Sequence, residues 1–239
     1  MDQGPISEEI HITEEVSVTV RSYYSIAWLT AAEVSRAAAV EIGDGPTRPD
    51  SQHYDRMRSY VLGALVDSWA FLESNINELY ADASHYSPGS SIAAEARAGL
   101  TPELHRRLAA LWPHIERLPT LEKYTIALDL AGAVPIAIGS DPGQSVSLLR
   151  SVRNHLLHYR PRSVIDGVPE GRDASLSSAM SSRLALPAWD KGGADLFPTR
   201  VLCPDLARWC IAAAIRFTDE FADRSGTARW YQHVRPAWL

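Results

Sequence analysis

The sequence has few cysteines, few lysines and no excess of positive charge. Cys203 and Cys210 are its two cysteines, and two of its 23 basic residues, Lys123 and Lys191, are lysines. The cysteines lie seven positions apart at the start of one predicted helix, which fits free thiols on one face better than a disulfide or a metal site. We therefore expect a protein of the reducing cytoplasm.

Charge and motif absences exclude several functional classes. The net charge of −6 excludes a globally basic surface, so any contact with nucleic acid must be local. No apolar run reaches the roughly 18 residues that a membrane span requires, and the acidic N-terminus predicts no secretory leader. Glycine-rich nucleotide loops, a His-Glu-x-x-His zinc motif and a nucleophile elbow are also missing. We expect no membrane association, metal or other cofactor.

Helical periodicity dominates the chain and predicts an all-α single domain over 1–239. The first long helix starts near Val16, although the alternation from Val16 to Val20 also fits a short strand. Its predicted inward stripe contains Val16, Val20, Tyr23, Ala27, Ala31, Val34 and Ala38. A second long helix runs from an Asp50 cap to about Ala83. Its predicted stripe contains Leu62, Val66, Trp69, Leu72, Ile76, Leu79 and Tyr80.

Capping residues predict the remaining helices, which form a bundle of long antiparallel helices. The predicted segments are 91–99, a helix from a Thr101 cap to about 117, 120–130, 142–160 and 204–222. Three segments fall outside this pattern. Residues 1–13 are predicted to be loose, 161–200 to be a loop-rich excursion before the last helix, and 225–239 to be an aromatic tail.

The helix predicted over 142–160 carries the densest cationic cluster of the chain. The cluster contains Arg150, Arg153, His155, His158, Arg160 and Arg162. At 100° per residue the stripe of Leu149, Val152, Leu156 and Tyr159 faces the protein interior. Asn154, Leu157 and His158 then point outward, and an outward leucine suggests a helix contact between two copies of the chain. Alternatively, Leu157 is a single exposed apolar residue and the cations are a solvated helix end.

A carboxylate in the second helix is the predicted partner of this cluster. Glu73 lies between Trp69 and Ile76 in the apolar stripe, where an unpaired charge is costly. We expect Arg153 to pair with Glu73, with Asn77 as a further hydrogen-bonding group. The pair would orient Arg153 for catalysis or simply orient two helices.

Arg153, Asn154 and His158 together suit RNA cleavage. RNA supplies its own nucleophile in the 2′-hydroxyl, so catalysis needs a group that moves protons and a cation that stabilises the phosphorane. His158 suits the first task and Arg153 the second, while Asn154 would hold the histidine or the substrate. The Arg-x4-His spacing alone is weak evidence, because about 0.7 such pairs are expected by chance in this composition. Arg150 and His155 form a second pair.

Three stretches resemble HEPN domains, as found in a group of bacterial HEPN-like proteins. They are Trp69 to Tyr80, the Arg-Asn-His-Leu-Leu-His-Tyr-Arg-Pro string from Arg153, and Phe217 to Phe221. The resemblance implies a dimeric helical ribonuclease that needs no metal, with a toxin–antitoxin or antiphage role and a possible antitoxin or defence partner. Arg150, His155, Tyr159 and Arg160 would support catalysis or bind RNA. Some HEPN proteins are inactive, which leaves a silent dimer that binds RNA, nucleotides or protein as the alternative. An unrelated helical interaction protein is a third.

The chain departs from the toxin subgroup of this family at one position. That subgroup has a tyrosine two positions after the histidine, whereas Tyr159 follows His158 directly. The resemblance therefore implies the fold more firmly than the toxin activity.

Overall fold

The structure, a computed structural model, describes residues 22–85, 99–160, 171–190 and 197–239. These residues contain seven α-helices and no strand, which confirms the all-α class. The helices are α1 (Ser25–Gly43), α2 (Ser51–His85), α3 (Pro102–Ile115), α4 (Thr120–Leu130), α5 (Gly143–Leu157), α6 (Gly171–Ser181) and α7 (Pro204–Ser225). The helix expected over 91–99, and the strand or helix start at Val16 to Val20, lie outside the described residues.

The 35-residue α2 is the central element, and α1, α3, α4, α5 and α7 all pack against it. Antiparallel packing of α1 brings its first residues to the far end of α2, where Glu78 accepts hydrogen bonds from the backbone N–H groups of Tyr24 (2.7 Å) and Ser25 (2.9 Å). The Ser25 hydroxyl donates to the same carboxylate. Glu78 thus caps α1 from a neighbouring helix.

Gly43 allows α1, α2 and α7 to meet at one point. A Cβ atom at this position would lie 2.4 Å from the Met57 sulfur and 2.5 Å from Cγ of Pro204. Both distances are below van der Waals contact, so a side chain here would push the helices apart. At the other end of α7, Gly226 adopts φ 74° and ends the helix in the left-handed conformation that glycine tolerates.

The predicted inward face of α1 is wrong. The structure buries Leu29, Ala32 and Ala39, whereas Val34 is 64% exposed and Ala27 faces solvent. In α2 the predicted stripe is confirmed from Trp69 onward, while the earlier Leu62 and Val66 are partly exposed.

Two of the caps read from the sequence are confirmed, whereas α4 and α5 begin without a side-chain capping hydrogen bond among the described residues. Asp50 accepts from the backbone N–H of His53 at the start of α2, and the Thr101 hydroxyl accepts from that of Leu104 at the start of α3. The excursion expected over 161–200 is wrong in part, because α6 lies within it.

The residues after α7 fold back onto the bundle. The Trp230 indole donates to Asn75 of α2 (2.7 Å), and the hydroxyl of the buried Tyr231 donates to Asp219 of α7 (2.8 Å). The Trp238 indole reaches Glu33 of α1 (3.1 Å). The aromatic tail is therefore part of the packed structure.

No helix within the described segments combines the length and apolarity of a membrane span.

Candidate functional site

The position of α5 is set by its apolar side and by its C-terminal cap. Val146, Leu149 and Val152 are fully buried and hold the helix against α2 and α7. The helix ends at Leu157, and the backbone N–H of His158 donates to the carbonyl of Asn154 at 3.2 Å. Tyr159 is therefore outside the helix and 39% exposed, so its expected place in the buried stripe is wrong.

Two of the three predicted catalytic side chains are in contact. Nη1 of Arg153 donates to the side-chain oxygen of Asn154 at 2.9 Å. Asn154 and His158 are both exposed, whereas Arg153 is half-buried and its Nε atom is enclosed with no hydrogen-bond acceptor among the described residues. Asn154 thus restrains the guanidinium of Arg153. The imidazole of His158 forms no hydrogen bond to the residues described. The described residues show no contact between Asn154 and the imidazole that would hold the histidine.

The arginines at this end of α5 form no ion pair within the described part of the chain. Arg150, Arg153 and Arg160 have no carboxylate partner, and Arg150 and Arg160 are exposed. Together with His158, these residues are called the α5 cationic end, in which Arg150 lies at the middle of the helix and the other residues at or beyond its last turn. An uncompensated cluster of this kind attracts anions locally even on a chain with net charge −6.

His155 belongs to a different environment. Its Nε2 atom lies 2.6 Å from a carboxylate oxygen of Asp173 in α6, and the two side chains are 12% and 8% exposed. Its ring also packs edge-on against Phe197, with centroids 5.1 Å apart. The pair joins α6 to α5. The contact with Asp173 occupies the Nε2 atom of His155, a residue that the sequence suggests for contact with the substrate.

The expected ion pair between Glu73 and Arg153 is wrong. Glu73 is exposed, and Asn77 accepts a hydrogen bond from Lys123 at 2.7 Å. The spacing from Trp69 to Ile76 is correct for a stripe, but the buried side of α2 is centred on Leu72, about 100° around the helix axis from Glu73. Glu73 is thus at the edge of the stripe, where water solvates its charge.

Lys123 is a buried charged residue that the sequence reading missed. It is 2% exposed, and its ammonium lies 5.4 Å from the ring centroid of Trp112. Burial lowers its pKa, while the charges of Glu73 and Glu116 act in the opposite direction. The sequence offered one signal for this position: the chain has only two lysines among 23 basic residues, and one of them is Lys123.

The two thiols and the acidic groups offer no second reactive centre in the described residues. Cys203 and Cys210 are free and buried, as expected, and burial raises the pKa of Cys203 to about 11. A thiol with that pKa is almost fully protonated at neutral pH and is a poor nucleophile. No group of three or more His, Cys, Asp or Glu side chains is arranged for metal binding in these segments.

Comparison with known proteins leaves the site to be interpreted from its own geometry. The chain matches no protein family description, no curated protein and no solved structure.

Proposed function

We propose that the protein is a metal-independent endoribonuclease of the HEPN type, acting as a homodimer. The observation that carries the proposal is the α5 cationic end, where Arg153 and Arg160 flank the exposed His158 along the chain, Arg150 lies about two helical turns earlier, and none of the three arginines has a carboxylate partner among the described residues. Side chains that only stabilise a fold are usually paired when half-buried, as Arg36 is with Glu33. Unpaired guanidinium groups are free to bind phosphate oxygens in bidentate geometry.

The proposed reaction is an internal transfer on RNA. His158 removes the proton of a 2′-hydroxyl, and the 2′-oxygen forms a bond to the neighbouring phosphorus while the bond from phosphorus to the 5′-oxygen breaks. The His158 imidazolium then gives this proton to the departing 5′-oxygen, which leaves a 2′,3′-cyclic phosphate and a 5′-hydroxyl and restores the neutral imidazole. Arg153, held by Asn154, stabilises the added negative charge of the phosphorane.

A second copy of the chain would enclose the reacting phosphate. In one protomer Asn154 and His158 lie on an exposed surface, which leaves a bound phosphate open to water. Leu157 is 47% exposed between them, and Tyr159 is 39% exposed beside them. Pairing of this face about a two-fold axis would bury both apolar side chains and bring two α5 cationic ends together.

The lack of an orienting group on His158 favours a second candidate function. Catalytic histidines are usually held by a hydrogen bond to their second nitrogen, and none is formed by His158 in the described residues. A HEPN-like dimer that binds RNA, a nucleotide or a partner protein without cutting would need only the cations. A toxin–antitoxin or antiphage role, with an antitoxin or defence partner, fits either candidate.

One assay separates the two candidates. A structured and an unstructured RNA are incubated with the protein in EDTA, and both bound RNA and products with 2′,3′-cyclic phosphate ends are measured. We expect EDTA-resistant cleavage that His158→Ala lowers by about 10²–10⁴-fold, while His114→Ala, which removes an exposed histidine of α3, has no effect. Binding without cleavage would replace the first proposal with the second. Absence of both would contradict the two together.

A further inference from the structure

A cavity of about 610 Å³ that is open to solvent lies between the last turns of α1 and the first turns of α2, away from the α5 cationic end. The loop that joins the two helices closes one side of it. From α2, His53, Arg56 and Tyr60 project into it at the three- and four-residue steps that place side chains on one helix face. The other lining residues include Ala38, Glu41, Ile42, Thr47, Arg48 and Asp50.

Two guanidinium groups of this cavity are available to an anion. Arg48 and Arg56 form no ion pair in the part of the chain that the structure describes. The guanidinium of Arg48 lies 4.8 Å from the ring centroid of Tyr54, and that of Arg56 lies 6.0 Å from that of Tyr60. These distances fit cation–π contacts, which leave guanidinium N–H groups able to donate to phosphate oxygens.

The remaining polar groups limit what the cavity can accept. His53 is held by Asp50, whose carboxylate lies 2.8 Å from Nδ1, and Nε2 of the imidazole has no hydrogen bond to the described residues. Glu41 of α1 lines the same space and adds an acceptor on the side opposite α2. An RNA strand lying along the cavity would bring further phosphates close to Glu41 and Asp50, which would repel them. A compact ligand can place its anionic group at the arginines and its hydroxyl or amino groups toward Glu41.

The volume indicates the size of that ligand. Small-molecule sites in proteins have volumes of about 300–1,000 Å³, and the 610 Å³ of this cavity lies within that range. A free phosphate ion would fill only a small part of it. We propose that this cavity binds a phosphorylated small molecule of about mononucleotide size, with Arg48 and Arg56 holding its phosphate. The site is independent of the proposed ribonuclease activity, because it shares no residue with the α5 cationic end.

Calorimetric titration with the four ribonucleoside 5′-monophosphates tests the proposal. We expect saturable binding of at least one of them, and Arg48→Ala and Arg56→Ala should each weaken it about 10-fold or more, as expected for loss of a charge-assisted hydrogen bond. The control Arg117→Ala removes another exposed arginine, which lies outside the cavity and has no ion pair among the described residues, and should leave binding unchanged. Thermal unfolding of each variant checks that it is folded.

Titrations with the matching nucleosides and with inorganic phosphate test separately the role of the arginines and the size of the ligand. Nucleosides that bind as tightly as the monophosphates would overturn the role of the arginines, and phosphate that binds as tightly would overturn the mononucleotide size. No saturable binding by any probe, or equal weakening by Arg117→Ala, would overturn the site itself. His158→Ala should bind like the wild type, so a failure of the ribonuclease proposal leaves this result unchanged.

Discussion

Arginines are abundant both at the outer end of α5 and in the residues that follow α7, but their surroundings differ. After α7, Arg229 contacts Asp219 and Asp223, and Arg235 lies 2.5 Å from Asp219. At the α5 cationic end, no arginine has a carboxylate partner among the described residues. Arginines of the first kind hold a segment of the chain in place. Arginines of the second kind contribute little to the fold and remain available to a ligand.

The largest expected effect is on catalysis at the unpaired end. Arg153→Ala should lower RNA cleavage by about 10²–10³-fold, the usual loss when one donor to a transition-state oxyanion is removed. Because Glu73 is exposed and does not depend on Arg153, only the packing of a half-buried side chain is lost, and the free energy of unfolding should change by no more than about 1 kcal/mol. Cleavage rates and urea unfolding of the same preparation measure both quantities. A large loss of stability would mean that Arg153 is a structural residue.

The paired region should show the opposite pattern. Asp219→Ala removes the acceptor of the buried Tyr231 hydroxyl and the partner of Arg235, and it should lower the free energy of unfolding by about 2–4 kcal/mol. RNA cleavage per folded molecule should be unchanged. Asp129→Ala, at an exposed position of α4 with no ion pair in the described residues, is the matched control for loss of a carboxylate. Equal stabilities of the two variants would remove the basis of the comparison.

Assembly depends on the apolar residue inside the unpaired region. Leu157→Glu places a charge in the proposed interface and should raise the dimer dissociation constant about 10-fold or more, measured by sedimentation at micromolar concentration. Val34→Glu, at an exposed apolar position of α1, is the control and should leave the dimer intact. If the wild-type chain sediments as a monomer, the α5 face is not a dimer interface.

The carboxylates of α2 repeat the contrast on a smaller scale. Burial raises the pKa of Glu78, which caps α1, although its hydrogen bonds from Ser25 and Tyr24 act to lower it. Just above pH 4.5 the unfolded chain has released the proton of this carboxyl group, whereas the folded protein still binds it. The free energy of unfolding should therefore fall as pH rises through the pKa of the folded state. Glu78→Gln should remove this fall in urea unfolding at pH 4–7, whereas Glu73→Gln should retain it. Identical profiles for wild type and Glu78→Gln would contradict the raised pKa.

The smallest expected effect is on the salt dependence of RNA binding. Arg150→Gln and Arg160→Gln should each reduce the slope of log affinity against log salt concentration by about 0.7, because each removes one phosphate contact to a single strand. Arg106→Gln should leave the slope unchanged, since Arg106 is paired with Glu103. Equal slopes for all four proteins would place the RNA elsewhere.

Local signals in the sequence predicted those parts of the fold that depend on neighbouring residues. Asp50 and Thr101 cap helices through contacts three residues away, and the inward residues Leu149 and Val152 follow directly from helical spacing. The outward position of Asn154 and His158 follows from the same spacing. The fold class and the composition of the α5 cationic end were therefore accessible without a structure.

Features set by distant contacts were not accessible in this way. The α1 sequence is rich in alanine, so several of its faces are similarly apolar, and packing against α2 decides which one is buried. The polar α6 shows no strong stripe, and Asp173 joins it to His155 across a gap in sequence that spacing cannot bridge. The cavity near Arg48 likewise depends on how a loop folds between two helices.

Gly43 has a consequence for the register of the bundle. If α1 slid by one turn along its neighbours, the methyl group of Ala39 would occupy the space that Gly43 leaves open beside Met57 and Pro204. That space has no room for a methyl group, so one alignment of the three helices is selected over its nearest alternatives. Glu41 and Ile42 immediately precede Gly43 and line the cavity between α1 and α2. The close packing at Gly43 therefore also determines where these two residues stand relative to α2.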